Sequence, residues 1–266
     1  MFFLSFTPAV KVLLLTNVGV LLLGMFLSPV DFSHSFGLHY VSSAYFQPYQ
    51  FFTYMFVHAG GWHLFSNMLA LIVFGSHLER FLGNKKFLLL YLITGIGAGV
   101  LYSLINFAEI QQLSKEVSEY TQEPDPESFN RFMIEHAPHL HQRLVHTEFI
   151  DNYAEDPNQV YYIRESIDIT QGILSEYENI PMVGASGAVF GILMAFGMLF
   201  PNTQLFLLFP PIPIKAKYVI LFYGLYEIYA EIQRMPGDNI AHLAHLSGML
   251  IAFLLIRHWR NQDLRN

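Results

Sequence analysis

Ser186 is the one polar side chain in the stretch MVGASGAVFG, where glycines and alanines flank it on both sides. A serine hydroxyl acts as a nucleophile in acyl transfer when a neighbouring base accepts its proton. Two further segments carry groups that such a reaction needs: WHLFSN has His63 and Asn67 four residues apart, and AHLAHLSG has His242 and His245 three apart. A histidine can serve as the base, while an asparagine amide, a second histidine and a helix N-terminus can donate hydrogen bonds to an oxyanion. Together these groups are of the kinds that acyl transfer, such as hydrolysis of a peptide bond, needs.

Each of these groups also has an ordinary structural interpretation. The glycines around Ser186 suit a helix-packing face, and polar side chains inside membranes form interhelical hydrogen bonds worth about 0.6 kcal/mol. His242 and His245 could instead be ligands of a metal ion, because histidine side chains commonly bind metals. These interpretations weaken when the three segments are considered together, because each segment supplies a different part of one reaction. No acidic residue adjoins the histidines in sequence, so we expect a Ser–His dyad, with Glu227 as a third member only if the fold brings it close.

The composition indicates that these residues lie in a membrane protein. Of the 266 residues, 53% are hydrophobic and only 13% are charged, which is too apolar for an ordinary soluble domain of this length. Apolar runs of spanning length predict six transmembrane helices, at residues 8–27, 62–78, 87–107, 181–200, 215–233 and 240–256. The first lacks the basic region and cleavage site of a secretory signal, so we expect it to be retained. The polar groups fall on the second, fourth and sixth spans, and ionisable groups at that depth usually face an interior or a water-filled cavity.

Charge is divided unevenly along the chain. Residues 107–180 carry 15 Asp and Glu against 4 Lys and Arg, a net charge of −11 within a total of −7, so the remainder of the chain carries +4. This segment is predicted to form a separate polar body outside the membrane. Basic residues cluster after the second, fourth and sixth spans, and by the positive-inside rule those places are cytoplasmic. Both termini are therefore predicted to be cytoplasmic and residues 107–180 extracytoplasmic.

The predicted fold is an all-α polytopic membrane protein. Residues 1–106 would contain the first three spans and an outer first loop, 107–180 an acidic helical insert, and 181–266 the last three spans and a cytoplasmic tail. Helical periodicity within the insert predicts three short amphipathic helices. The middle one has a start signal, with Asp125 as N-cap and Pro126 at the first helical position.

Four segments resemble the signature sequences of one enzyme family. FVHAGGWHLFSNMLALIVFG followed by LERFLGNKKF, then GASGAVFG and AHLAHLSG, resemble those of the rhomboid intramembrane serine proteases, in the same order and on the same spans. The resemblance covers residues 8–106 and 181–258. It implies a rhomboid-like bundle of six helices. It also implies a serine endopeptidase that cleaves peptide bonds in or near the transmembrane segments of its substrates, without a metal or another cofactor.

The resemblance also implies roles for individual residues. Ser186 matches the nucleophile of the catalytic dyad, and His245 matches its base. His63 and Asn67 match the residues that hold the oxyanion together with the backbone N–H of Ser186. The matched structural positions are Glu79, Arg80, Gly83, Gly184, Gly187, Gly191 and Gly248, and His58 matches a histidine at the top of the second span.

The chain departs from the family pattern in two places. It has Tyr49 and Gln50 where many bacterial members carry Trp-Arg in the first loop, and this difference affects the anchoring of the loop. The acidic insert replaces what is normally a short connection between the third and fourth spans. The insert could screen substrates, bind a partner or act as a lid.

Three other functions fit parts of the sequence. A metalloenzyme could use several histidines, but H-E-x-x-H spacing is absent and carboxylate ligands other than Glu227 are missing from the spans. The histidines concerned are His58, His63, His77, His242 and His245. A non-catalytic rhomboid-like protein would bind membrane helices without cutting them, yet such relatives are expected to lack the serine or the histidine. A transporter would show an inverted repeat, and none is visible.

The predicted location is the bacterial inner membrane, with the chain as an integral membrane protein. The expected partners are the lipid bilayer and protein substrates with transmembrane segments, and no nucleic acid is expected. The chain contains no cysteine, which excludes a disulfide, a thiol nucleophile and a thiolate-bound metal.

Overall fold

Residues 6–27, 30–206, 212–233 and 240–263 are described by the computed structural model, and most of their regular structure is helical. The helices are α1 (Pro8–Phe26), α2 (Phe32–Phe36), α3 (Gln50–Thr53), α4 (Gly61–Ala70), α5 (Ser76–Leu82), α6 (Asn84–Gln122), α7 (Pro126–His136), α8 (Pro138–His146), α9 (Phe149–Glu155), α10 (Val160–Asn179), α11 (Ser186–Leu199), α12 (Ala216–Gln233) and α13 (His242–Asp263). A 3-10 turn at Tyr54–Phe56 follows α3, and a π-helical turn at Leu71–Gly75 joins α4 to α5. Two short strands between α11 and α12, β1 (Gln204–Phe206) and β2 (Pro213–Lys215), pair antiparallel. The predicted all-α class is confirmed.

Two of the described helices, α1 and α6, are long and apolar enough to cross a membrane alone. The helical segments Gln50–Phe56 and Gly61–Leu82 meet this criterion only as a pair, bent by 93°. α11 is apolar but has 14 residues, about 21 Å of helix, against about 30 Å of hydrocarbon core. Charged residues and histidines lower the apolarity of α12 and α13. By length and composition the described residues therefore contain two spans, or three with the bent pair, and the figure of six stays a prediction from sequence.

The carboxylate of Glu79 caps the N-terminus of α1. Its oxygens accept hydrogen bonds from the backbone N–H groups of Ala9 and Val10, both at 2.9 Å, and from the hydroxyl of Thr7. The first N–H groups of a helix lack partners inside it, so a buried carboxylate at that end both satisfies them and complements the helix dipole. Glu79 thereby connects α5 to α1. Gly83, another of the predicted structural residues, directly follows the last residue of α5.

α11 packs against α6, α12 and α13. Small residues on α11 allow α6 to approach closely. A Cβ on Gly191 would lie 2.6 Å from the Cβ of Thr94, and a Cβ on Gly187 would lie 2.8 Å from the Cβ of Ala98. This is the close helix packing that small residues permit inside membranes, and it accounts for two of the glycines identified in the sequence.

The insert forms a helical body with its own hydrophobic core. The buried side chains of this core are Leu113, Val117, Tyr120, Phe129, Phe132, Met133, Phe149, Tyr153 and Ile173. The predicted start of the middle helix is confirmed, because α7 begins at Pro126 and Asp125 accepts a hydrogen bond from the backbone N–H of Ser128 at 2.9 Å.

The helices of the insert differ in number from the three predicted. The first is the outer part of α6, which continues without a break past residue 107, where the sequence changes from apolar to acidic. The second is divided at Ala137, because the residue before a proline disfavours helical geometry and Pro138 begins α8. α9 and α10 complete the insert.

Candidate active site

Ser186 is the first residue of α11, which begins five residues after the predicted start of the fourth span. The chain before it is held by backbone hydrogen bonds. Met182 pairs with Leu38 through bonds of 2.8 and 2.9 Å, and the N–H of Gly184 donates to the carbonyl of Tyr54 at 2.9 Å. Gly184 has a φ of 127°, a backbone conformation that residues other than glycine rarely adopt. The first N–H groups of α11 have no partner within the helix, so the start of α11 offers donors for an anion beside the serine hydroxyl.

α11 and α13 are in backbone contact beside Ser186. A Cβ on Gly248 would lie 2.0 Å from the carbonyl oxygen of Gly187, and a Cβ on Gly187 would lie 3.5 Å from the carbonyl oxygen of Ala244. Gly187 is the residue after Ser186, and Gly248 lies about one turn after His245. The contact therefore brings the two predicted dyad residues to the same helix junction.

His245 lies flat against α11. Its ring is stacked on Phe190, with centroids 4.1 Å apart and planes 7° apart. Phe190 lies four residues after Ser186, so the imidazole covers the helix face that also carries the serine. Within the described part of the chain, no hydrogen bond joins Ser186 to His245. Such bonds are often long in the absence of substrate and shorten in the substrate complex.

His63 and Asn67 lie on α4, close to the turn before α11. A Cβ on Gly184 would lie 2.7 Å from Cε1 of His63 and 3.8 Å from Oγ of Ser186, so His63 approaches the serine across this glycine. Asn67 is buried one turn further along, and its Nδ2 donates to the carbonyl of His63 at 3.0 Å. That bond uses one of the two amide hydrogens, which leaves the second for another acceptor.

The other candidate histidines take different positions. His58 is buried next to His63, with ring centroids 5.0 Å apart, and its Nε2 accepts a hydrogen bond from the N–H of Ala185 at 3.5 Å. His77 lies on α5, where its Nδ1 contacts the carbonyl of Val73 at 3.0 Å. The five histidines that a metalloenzyme could use therefore lie at more than one location in the structure.

Comparison with known proteins identifies the family. The model of the Rhomboid domain matches residues 45–111 and 166–260. The chain belongs to the Rhomboid family. The unmatched residues between these ranges, 112–165, fall within the acidic insert, and the match itself includes residues 107–111 and 166–180 of that predicted segment.

Two rhomboid relatives are similar over a shorter stretch. RHOMBOID-like protein 1 of Arabidopsis thaliana is 44% identical over 62 residues, and RHOMBOID-like protein 2 of the same plant is 43% identical over 58 residues. The matched stretches are 23% and 22% of this chain and 16% and 18% of the two relatives. This chain therefore matches less than a fifth of the length of either relative.

The sequence predicts that Glu227 joins this site only if the fold brings it close to the histidines. Oε2 of Glu227 on α12 lies 2.8 Å from Nδ1 of His245 and 2.6 Å from Nδ1 of His242. The signal in the sequence is a carboxylate within an apolar helix, since ionisable groups at membrane depth are costly. The fold does bring Glu227 to the predicted base, so the two-residue dyad expected from the sequence has an acidic neighbour.

Proposed function

We propose that this rhomboid is an intramembrane serine endopeptidase that hydrolyses peptide bonds in or near the transmembrane segments of membrane-protein substrates. The observation that carries the proposal is the junction of α11 and α13, where Gly187 meets Gly248 and His245 stacks on Phe190. Helix packing alone does not require a serine and a histidine at this junction, whereas these two residues can supply the nucleophile and the base of acyl transfer.

In the proposed reaction the hydroxyl oxygen of Ser186 attacks the substrate carbonyl carbon while Nε2 of His245 accepts the hydroxyl proton. A C–O bond forms, the carbonyl oxygen becomes an oxyanion, and the imidazole becomes an imidazolium. The C–N bond then breaks, and the imidazolium returns its proton to the leaving amine. Water attacks the acyl-enzyme in the same way, with His245 again as the base, which releases a carboxylic acid and restores the serine.

Three donors are proposed for the oxyanion: the backbone N–H of Ser186 and the side chains of His63 and Asn67. His63 supports this role by its approach to Ser186 across Gly184, and Asn67 supports it by its remaining amide hydrogen. A single oxyanion donor contributes about 10² to 10³ to the rate of acyl transfer. Loss of either side chain should therefore slow the reaction without abolishing it.

The length of α11 supports cleavage below the membrane surface. The hydrocarbon core of a bilayer is about 30 Å thick, and α11 is about 21 Å long. With the C-terminal end of α11 at one surface of the core, Ser186 at its N-terminal end would lie about 9 Å below the opposite surface. The substrate backbone would have to unwind to reach Ser186, and unwinding in lipid exposes unpaired backbone groups. We therefore propose substrates whose transmembrane segments contain Gly, Ala, Ser or Pro near the cleavage site, with a small residue before the cut, and which approach past α12.

The position of basic residues supports cytoplasmic termini and an extracytoplasmic insert. A cavity beside Leu199, at the end of α11 opposite Ser186, is lined by Lys86 and Arg260. Basic residues of this kind favour the cytoplasmic surface. The two relatives described above are plant proteins and do not support the bacterial membrane expected from the sequence, so the membrane in which this rhomboid resides stays a prediction.

Labelling with a serine-directed fluorophosphonate tests the proposed function. In proteoliposomes, the wild-type protein should be labelled and should cleave a reporter with a glycine-containing transmembrane segment, and Ser186→Ala should do neither. Ser118→Ala, an exposed serine of α6, is the matched control and should behave as the wild type. Unlabelled wild-type protein that still binds the reporter would favour the non-catalytic alternative, and labelling of Ser186→Ala would assign the nucleophile elsewhere.

A further inference from the structure

A carboxylate from α12 lies between the two histidines of α13. Oε2 of Glu227 is 2.6 Å from Nδ1 of His242 and 2.8 Å from Nδ1 of His245. All three side chains are buried, since Glu227 is 3% exposed, His242 4% and His245 7%. A carboxylate removed from water is costly unless it is paired and hydrogen-bonded, so the two imidazoles are the groups that stabilise it.

The same three side chains are of the types that bind a metal ion, and their ligand atoms lie within 4.8 Å of one another. Bonds of about 2.0 to 2.2 Å to a tetrahedral zinc ion keep oxygen and nitrogen ligands about 3.3 Å apart. The observed contacts of 2.6 and 2.8 Å are shorter than this separation and are typical of charge-assisted hydrogen bonds. The described arrangement is therefore that of two hydrogen bonds.

The hydrogen bond to Glu227 determines which nitrogen of His245 carries the proton. An ionised carboxylate can only accept hydrogen bonds, so Nδ1 of His245 is the donor. A neutral imidazole has one N–H, which leaves Nε2 with the lone pair that a general base needs. When Nε2 accepts the serine proton, the nearby negative charge stabilises the imidazolium that forms.

We propose that Glu227 is a positioning residue that extends the Ser186–His245 pair to a triad. It holds His245 in the Nδ1–H tautomer and orients its ring, while His242 donates to the same carboxylate oxygen and keeps the carboxylate in place. This inference rests on the proposed protease function and adds a third member from a different helix, which the dyad expected from the sequence lacks.

The location of Glu227 on α12 makes the base dependent on helix packing. The buried side chains described on α12 are Ala216, Ile220, Glu227 and Ala230. Much of the remaining apolar surface of this helix is exposed, and Glu227 forms two hydrogen bonds to α13. Displacement of α12 from α13 would remove the carboxylate from His245, and the base would be oriented only while the two helices are packed together.

Two substitutions of Glu227 test the proposal in proteoliposomes. In Glu227→Gln the amide nitrogen can donate to Nδ1, which favours the opposite tautomer of His245. We expect kcat to fall by about 10² to 10⁴ while KM changes less than about twofold, as happens when the acid of a serine protease triad becomes an amide. Glu227→Asp keeps the negative charge and should recover at least about tenfold in kcat relative to the Gln variant. NMR of ¹⁵N-labelled histidine should show Nδ1–H for His245 in the wild type and Nε2–H in the Gln variant.

The outcomes separate this inference from the proposed function. An active, fluorophosphonate-labelled wild type with unchanged kcat in Glu227→Gln would overturn the inference and leave the protease function standing. An inactive and unlabelled wild type would overturn both. If the Gln variant does not fold, the wild-type tautomer decides, because Nε2–H on His245 contradicts the proposed role. A stoichiometric metal in the purified protein that is lost in His242→Ala would also overturn the inference.

Discussion

Gly248 touches the backbone of Gly187 with no space between them for a methyl group. A Cβ on Gly248 would lie 2.0 Å from the carbonyl oxygen of Gly187, 2.9 Å from its carbonyl carbon and 3.3 Å from its α-carbon. The atoms in the way belong to the backbone of α11, so a change of rotamer cannot relieve the contact. The short distance between α11 and α13 beside Ser186 is thus possible only because residue 248 is a glycine.

Gly248→Ala should therefore reduce proteolysis strongly. The added methyl group has to push α13 away from α11, at a cost of about 1 to 3 kcal/mol for overpacking, and His245 moves with α13. A displacement of about 1 Å between reacting groups can cost about 10² in rate, so we expect a fall in kcat of that order. The measurement is cleavage of the reporter in proteoliposomes, together with thermal unfolding.

Gly172→Ala is the matched control for this substitution. Gly172 lies on α10, and a Cβ there would have nothing within 4 Å. Alanine is favoured over glycine in a helix interior by about 1 kcal/mol, so this variant should be fully active and equally or more stable. Full activity of Gly248→Ala would show that the helix junction tolerates separation and would weaken the proposed site.

The contact between α11 and α13 could be predicted from the sequence because it depends on small residues. Glycines at 187 and 248 indicate close helix approach, and a serine needs a base within hydrogen-bond reach. Gly191, which the sequence groups with them, instead packs against Thr94 of α6. The contact of Glu227 with His245 could not be predicted in the same way. α12 is apolar around most of its circumference, so no polar face indicates which side turns towards α13. Its rotation and depth are consequences of packing in three dimensions.

The same distinction applies to the insert. The start of α7 could be predicted because Asp125 and Ser128 form a local cap. The continuity of α6 could not, because hydropathy changes sharply near residue 107 while the backbone contains no proline to end the helix there. A change in solvent preference marks where a helix leaves the membrane, and it does not mark where the helix ends.

Gly184→Ala should impair the oxyanion site. Gly184 has a φ of 127°, and a Cβ there would lie 2.7 Å from Cε1 and 2.8 Å from Nε2 of His63. Backbone strain and displacement of the imidazole both act on the turn that precedes Ser186. We expect kcat to fall by about 10² to 10³, comparable to the loss of an oxyanion donor.

A double variant separates the two causes in this prediction. In a His63→Ala background the ring is absent, so adding Gly184→Ala should cost only the part that comes from backbone strain. The effect of the glycine substitution on kcat should therefore be smaller in that background than in the wild type. Equal effects in both backgrounds would show that His63 is not the group displaced.

The two histidines bound to Glu227 should differ in their effect on catalysis. His245→Ala removes the base and should abolish cleavage, whereas His242→Ala leaves the bond between Glu227 and His245 and should reduce kcat by no more than about tenfold. Initial rates on the reporter measure both. His77→Ala on α5, where the ring contacts Phe196 with centroids 6.1 Å apart, is the control and should retain activity. Loss of activity in His242→Ala with activity kept in His245→Ala would exchange the assignment of the base.

The insert should lose stability in acid through its capping residue. Partial burial raises the pKa of Asp125, but hydrogen bonds from Ser128 and Glu127 and the charge of Arg131 together lower the pKa below its usual value. A carboxyl whose pKa is lowered by folding stabilises the folded form above its unfolded pKa, near 3.9, and this stabilisation is lost as pH falls through the folded pKa. The contribution of the charged cap should therefore be complete at neutral pH and should decrease progressively as the pH falls below about 4.

Hydrogen exchange of the α7 amides measures this contribution. Asp125→Ala should make these amides exchange about fivefold faster than in the wild type at pH 7, which corresponds to about 1 kcal/mol for loss of an N-cap. Asp125→Asn keeps a capping oxygen without a charge, so its exchange should stay close to that of the wild type and its stability should not change as Asp125 titrates. Asp168→Ala, an exposed aspartate of α10, removes the same side chain without removing a cap and should leave α7 unchanged. Equal acceleration in the two alanine variants would show that general charge, and not the cap, determines the stability of the insert.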